Sequence, residues 1–114
     1  MEYYFSKTIT DSFENAIQKV TKALKSEGFG ILTEIDLKAT LKKKLDVDFY
    51  KYTILGACNP QFAYKALVTE DKIGVMLACN IIVQEKVASQ IEVSAVDPAA
   101  SMQAIKNDKL TLEI

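Results

Sequence analysis

The sequence contains no histidine and no arginine. The first absence removes Ser-His-Asp and Cys-His catalysis, and every histidine-containing metal site, from what a single chain can assemble. The second leaves all 14 positive charges on lysine, so no planar fork can grip a phosphate or carboxylate in two places. There is no excess of either charge. The 14 basic groups stand against 15 acidic ones, net −1, which speaks against a basic nucleic-acid binder and a charge-driven disordered chain. Cysteine is scarce too: Cys58 and Cys79 alone occur, at a separation that fits no C-x-x-C redox or zinc pattern. The N-terminal Met1-Glu2-Tyr3-Tyr4-Phe5-Ser6-Lys7 has an acid where a secretory peptide carries a base. The longest nearly apolar stretch, Ile73 to Val83, includes Asn80 and is too short to cross a bilayer of roughly 30 Å as a helix. These absences predict a cytoplasmic protein with reduced thiols and with neither a membrane nor a nucleic acid as partner.

What is present suits one domain spanning 1–114. The chain has 114 residues, 49% hydrophobic and 25% charged, long enough for a core that needs neither metal nor disulfide. Glu2 to Ile9 alternates as a first strand. Asp11 and Glu14 form a D-x-x-E capping box opening a helix, with Phe13, Ala16, Ile17, Val20, Ala23 and Leu24 on one stripe. Gly28 is placed to end it in a left-handed conformation. Phe29, Ile31, Thr33 and Ile35 alternate as a second strand, and Asp36 caps a short helix carrying Leu37, Leu41 and Leu45. Tyr50 to Cys58 reads as a third strand. A helix with Ala63, Ala66 and Leu67 inward follows it, and Val75 to Glu85 reads as a fourth strand buried on both faces. Val87 to Gln90 turns into a fifth strand, Ile91 to Val96, too tightly for a parallel crossover. Asp97-Pro98 begins another helix, and the tail from Asn107 to Ile114 carries Leu110, Leu112 and Ile114. This order predicts an α+β two-layer sandwich, a mostly antiparallel sheet with helices on one face.

Chemistry concentrates in two echoes. Asn59-Pro60 and Asp97-Pro98 each follow a strand and begin a helix, where the Asx side chain accepts an orphan N–H and proline has none to lose. Helix initiation explains both; the sharper possibility is an anionic ligand at the helix start, with the thiol of Cys58 lowered there. The second echo sets Cys58-Asn59 against Cys79-Asn80. A buried Asn80 amide would need a polar partner, either a register-fixing hydrogen bond or a ligand. Two thiolates make only half of a tetrahedral zinc shell, so neither a metal nor a cofactor is expected within one chain. Lys42-Lys43-Lys44 reads as a solvated helix end, and Glu70-Asp71 as a solvated turn. Tyr50, Tyr52 and Tyr64 could line a pocket or simply pack. Gly28-Phe29-Gly30 lacks the spacing of a nucleotide loop.

Four segments in order carry a resemblance: Gly28-Phe29-Gly30-Ile31-Leu32-Thr33-Glu34-Ile35-Asp36, Ile54-Leu55-Gly56-Ala57-Cys58-Asn59-Pro60, Leu77-Ala78-Cys79-Asn80-Ile81-Ile82-Val83, and Asp97-Pro98. Together they resemble domain-of-unknown-function family 302 over almost the whole chain. The resemblance implies a TATA-binding-protein-like fold of one strand, one helix, four strands and a helix, in small dimeric cytoplasmic prokaryotic proteins with no established activity. Ala78 departs from the family's proline, and the resemblance implies a shortened terminal helix. The functional expectation is a non-catalytic homodimeric binding or interaction module, with a small pocket near the Cys58-Asn59 helix start and a small-molecule or anionic ligand contacting Cys58, Asn59, Cys79 and Asn80. The alternative is a thiol-dependent redox or metal-linked protein using Cys58 and Cys79.

Overall fold

A computed structural model of the chain describes residues 3–97. The helix proposed to begin at Asp97-Pro98, from Pro98 on, and the apolar tail from Asn107 to Ile114 lie outside the described residues. The element order is β1 (Tyr4–Thr10), α1 (Phe13–Ser26), β2 (Gly30–Asp36), α2 (Leu37–Leu45), β3 (Lys51–Cys58), α3 (Pro60–Thr69), a 3-10 turn (Ile73–Met76), β4 (Cys79–Val87) and β5 (Gln90–Val96). The strands form one sheet in the order β1-β5-β4-β3-β2, every pairing antiparallel. With its helices this makes a mixed α+β fold, a two-layer sandwich. Among the described residues no helix is long and apolar enough to cross a membrane.

The core lies between α1 and the sheet. Phe13 and Ala16 are buried against Leu55 and Ala57 of β3, Ile81 and Val83 of β4, and Ile91 of β5, with Ile17, Val20 and Leu24 packed on the same cluster. Ala23, expected on this stripe, is exposed at its edge. The cap is shifted by one residue from the D-x-x-E reading: Ser12 is the N-cap, its hydroxyl accepting the Asn15 N–H at 3.1 Å. Asp11 accepts instead from the Ser12 N–H at 2.8 Å and from the ammonium of Lys19. The helix ends as its glycine predicts. Gly28 takes φ +87°, and the Phe29 N–H reaches back to the Leu24 carbonyl at 2.9 Å.

Two sequence readings change in the sheet. A bulge between Ile31 and Thr33 shifts the register of β2, so Ile31 pairs with Ala57 but Thr33 pairs with Gly56 and Ile35 with Ile54. Strict alternation would keep Ile31, Thr33 and Ile35 on one face; the extra residue, Leu32, sends the last two to the other. The long fourth strand is also divided. Ile73–Met76 is a 3-10 turn, and β4 begins only at Cys79. Its burial is one-sided for the apolar residues, with Ile81 and Val83 buried, Ile82 half-buried and Asn80 exposed. In α3, Ala63 and Ala66 are buried as expected, whereas Leu67 is 41% exposed.

Candidate functional site: a groove on the open face of the sheet

The side chains of β4 that alternate with the core residues define the site. Asn80, Ile82 and Gln84 point away from α1 and floor an open groove of about 610 Å³. Register supplies the walls. Gln84 lies between Tyr52 of β3 and Glu92 of β5, Ile82 lies between Ile54 and Ser94, and Asn80 lies beside Gly56. On the β1 side Tyr4 lines the groove together with Tyr3, the two rings meeting edge to face with centroids 5.2 Å apart. Val75 and Met76 of the 3-10 turn close one end.

The polar groups of the floor are unequally satisfied. Ser94, 5% exposed, shares a 2.9 Å hydrogen bond with Ser6. Gln84 is 7% exposed, and its Nε2 donates to the Tyr50 hydroxyl at 3.1 Å. Tyr50 is itself held by stacking on Phe49, centroids 4.1 Å apart. That bond leaves the Gln84 carbonyl oxygen without a partner among the described residues. Since every fully enclosed side-chain N or O among the described residues has one, this oxygen opens onto the groove. The amide of Asn80 is exposed and has no hydrogen-bond partner among the described residues. The two charges that line the groove, Lys86 and Glu92, pair with each other at 3.7 Å. Burial, with help from neighbouring Tyr50, pushes the Tyr52 phenol above its ordinary value, so it stays a neutral hydroxyl near neutral pH.

The two Cys-Asn motifs come to one end of the sheet. Ala57 pairs with Cys79, and Gly56 with Asn80. Cys79 therefore shares the face of core residue Ala57, and Cys58, the last residue of β3, is buried next to that pair in the chain. Both are free. Burial pushes the Cys79 thiol up from its ordinary value, and nearby Cys58 adds to the effect. Among the described residues no three His, Cys, Asp or Glu side chains are grouped so that they could hold a metal ion. Asn59 caps α3 as its sequence predicts, its Oδ1 accepting the N–H groups of Gln61 at 3.1 Å and Phe62 at 3.2 Å. Pro60 has no N–H, and the Ala63 N–H goes to the Asn59 carbonyl at 2.8 Å, so the helix start has no free donor to offer an anion. Of the four residues expected to form the site, only Asn80 lines the groove. It is also exposed, so no buried partner is needed.

The model of the family described as Domain of unknown function DUF302 matches residues 5–113. The chain belongs to the DUF302 family. The crystal structure of an uncharacterized conserved DUF302 protein from Bacillus stearothermophilus is similar at 23% identity. It has a TM-score of 0.87 over 99% of this chain and 88% of that one, a likeness in fold. No curated protein matches.

Within this DUF302 chain, reading the sequence for sites favoured motifs with recognisable chemistry and so passed over Gln84. Its one signal was position: a polar residue in a run with Ile81, Ile82 and Val83, whose burial demands a bond and leaves half an amide over. Tyr52 was among three tyrosines that could line a pocket and is the one that does. Tyr50 instead orients Gln84, and Tyr64 is 70% exposed on α3.

Proposed function

We propose that this DUF302 protein is a non-catalytic binding module, acting as a homodimer, that takes a small molecule in the groove over Ile82. The observation that carries the reading is the groove itself. Its volume of about 610 Å³ lies within the range of small-molecule sites, and its lining mixes apolar side chains with polar ones, of which Gln84 and Ser94 are held by hydrogen bonds. The absence of histidine supports a binding role over a catalytic one, because no imidazole is at hand to move a proton or activate a nucleophile. The dimer rests on apolar side chains that the described fold leaves in water: Tyr64 and Val68 on α3, 70% and 68% exposed, and Val75 after it, 88% exposed. Such an interface must bury at least about 1,000 Å². An anionic ligand at the start of α3 is not part of the proposal, since Asn59 has already taken the donors there.

Thiol chemistry at Cys79 is disfavoured. A thiol whose ionisation is disfavoured by burial is a poor nucleophile at neutral pH. The test is native mass spectrometry of the protein purified from its own host, alongside an Ile82→Trp variant that fills the middle of the floor. Twice the chain mass with a small-molecule adduct that the variant loses is the expected result. A monomer removes the dimer from the reading, and bare protein in both samples removes the ligand.

A further inference from the structure

We infer that the groove selects a neutral, ring-bearing molecule that presents an N–H group to the carbonyl oxygen of Gln84. The inference rests on the binding reading above and adds the chemistry of the ligand. It starts from the imbalance at Gln84. The side chain is more than nine-tenths buried, and one end of its amide is fixed by Tyr50, which is fixed in turn by Phe49. Its acceptor end is left open to the groove. A carbonyl oxygen opening onto a groove is served by water; a ligand that covers it without a donor leaves it unpaired, and one that brings a donor does not. The site thus asks for N–H or O–H, and rejects an acceptor facing an acceptor.

Charge decides the next point. Lys86 and Glu92 pair with each other at 3.7 Å, so among the described residues the groove lining presents no lone charge to match an ion. A charged ligand would give up water without gaining a counter-charge. Shape decides the last. Asn80, Ile82 and Gln84 follow one another on the same face of β4, at about 6.6 Å per step on a strand rising about 3.3 Å per residue. An apolar seat therefore lies between two amides about 13 Å apart. Tyr4 stands on the β1 side and Tyr52 on the β3 side. Aromatic walls favour a ring, in stacked or edge-to-face contact, over an aliphatic chain of equal size.

The test uses four small probes followed by ¹H–¹⁵N NMR on the intact chain: benzamide, N,N-dimethylbenzamide, benzoate and isobutyramide. Benzamide is expected to shift the signals of Ile82, Gln84 and Ser94, and to bind about tenfold more tightly than each of the other three, the scale of one neutral hydrogen bond or one ring contact. Gln84→Leu should abolish the preference for benzamide over its dimethyl derivative while keeping the same shifted residues. Gln84→Glu, nearly the same size, should turn the preference towards the cation benzamidinium. This second variant keeps the result interpretable should the leucine variant fold poorly. Equal binding of benzamide and N,N-dimethylbenzamide in the groove would overturn the donor requirement and leave the binding module standing. Tighter binding of benzoate would overturn neutrality in the same way. No groove shift with any probe, in a protein whose spectrum shows it folded, would overturn both readings together.

Discussion

Replacing Gly56 by alanine tests how the sheet is built at the edge of the groove. Gly56 lies on the groove face of β3 beside Asn80, and the bulge in β2 puts Thr33, and not Leu32, opposite it. A Cβ built on Gly56 would sit 2.3 Å from the Thr33 hydroxyl oxygen, about 1 Å inside the closest ordinary contact, with the Thr33 Cβ at 3.6 Å and the Asn80 Oδ1 at 3.7 Å. Threonine can relieve the clash in only one of its other two χ1 rotamers, since the remaining one brings its methyl group to the same place. Overpacking of this kind costs about 1–3 kcal/mol, and the backbone gain from glycine to alanine in a strand returns about 0.5–1 kcal/mol. A net loss of about 1–2 kcal/mol is expected. In a Thr33→Ala background the nearest remaining Thr33 atom would be the Cβ, at ordinary contact distance, and the same substitution should become neutral or slightly stabilising. Urea unfolding of the wild type, both single variants and the double variant measures the coupling. Additivity within about 0.5 kcal/mol would refute the placement of Thr33 over Gly56, and with it the bulge.

Leu55 is fully buried beneath α1, so Leu55→Ala should cost about 2–5 kcal/mol by urea unfolding; a change near zero would place the core elsewhere. Asn59→Ala uncaps α3 and should cost about 1 kcal/mol by the same assay, with Asn59→Asp close to wild type. Cys79 should alkylate more slowly at neutral pH than a free thiol, its rate rising only above the ordinary thiol range, as followed on a Cys58→Ala background. The sign for stability follows from linkage. With the folded thiol raised, the unfolded chain loses its proton first, so this contribution is intact below the unfolded value and is lost as pH rises through the folded one. Ultraviolet titration should find Tyr52 ionising above an ordinary tyrosine, a difference that vanishes in a Tyr52→Phe variant.

The legible parts of this fold were those set by local rules. The stripe from Phe13 to Leu24 has the helical period, Gly28 ends the helix because its φ is positive, and Asn59-Pro60 starts α3 by a mechanism contained in two residues. Tertiary pairing decided what local pattern could not. Leu32 looks like any other alternating residue until Thr33 must meet Gly56, and Val75 looks like strand until the chain turns at Ile73–Met76. The site was legible only at Asn80 and Tyr52. The echo of two Cys-Asn pairs suggested a shared site; pairing does bring Cys79 beside Ala57 and Asn80 beside Gly56, but of the four residues Asn80 alone lines the groove. Gln84 could be noticed only once its burial and its single bond to Tyr50 were known, because an isolated glutamine carries no motif.

The most direct test of the groove as a binding site is a crystal structure of the protein taken from its own host without refolding. Density for a small molecule seated on Ile82, with a donor within hydrogen-bond distance of the Gln84 Oε1, is the result this account predicts. A groove closed by protein, with Gln84 Oε1 bonded to another part of the chain or to a second copy, would contradict it.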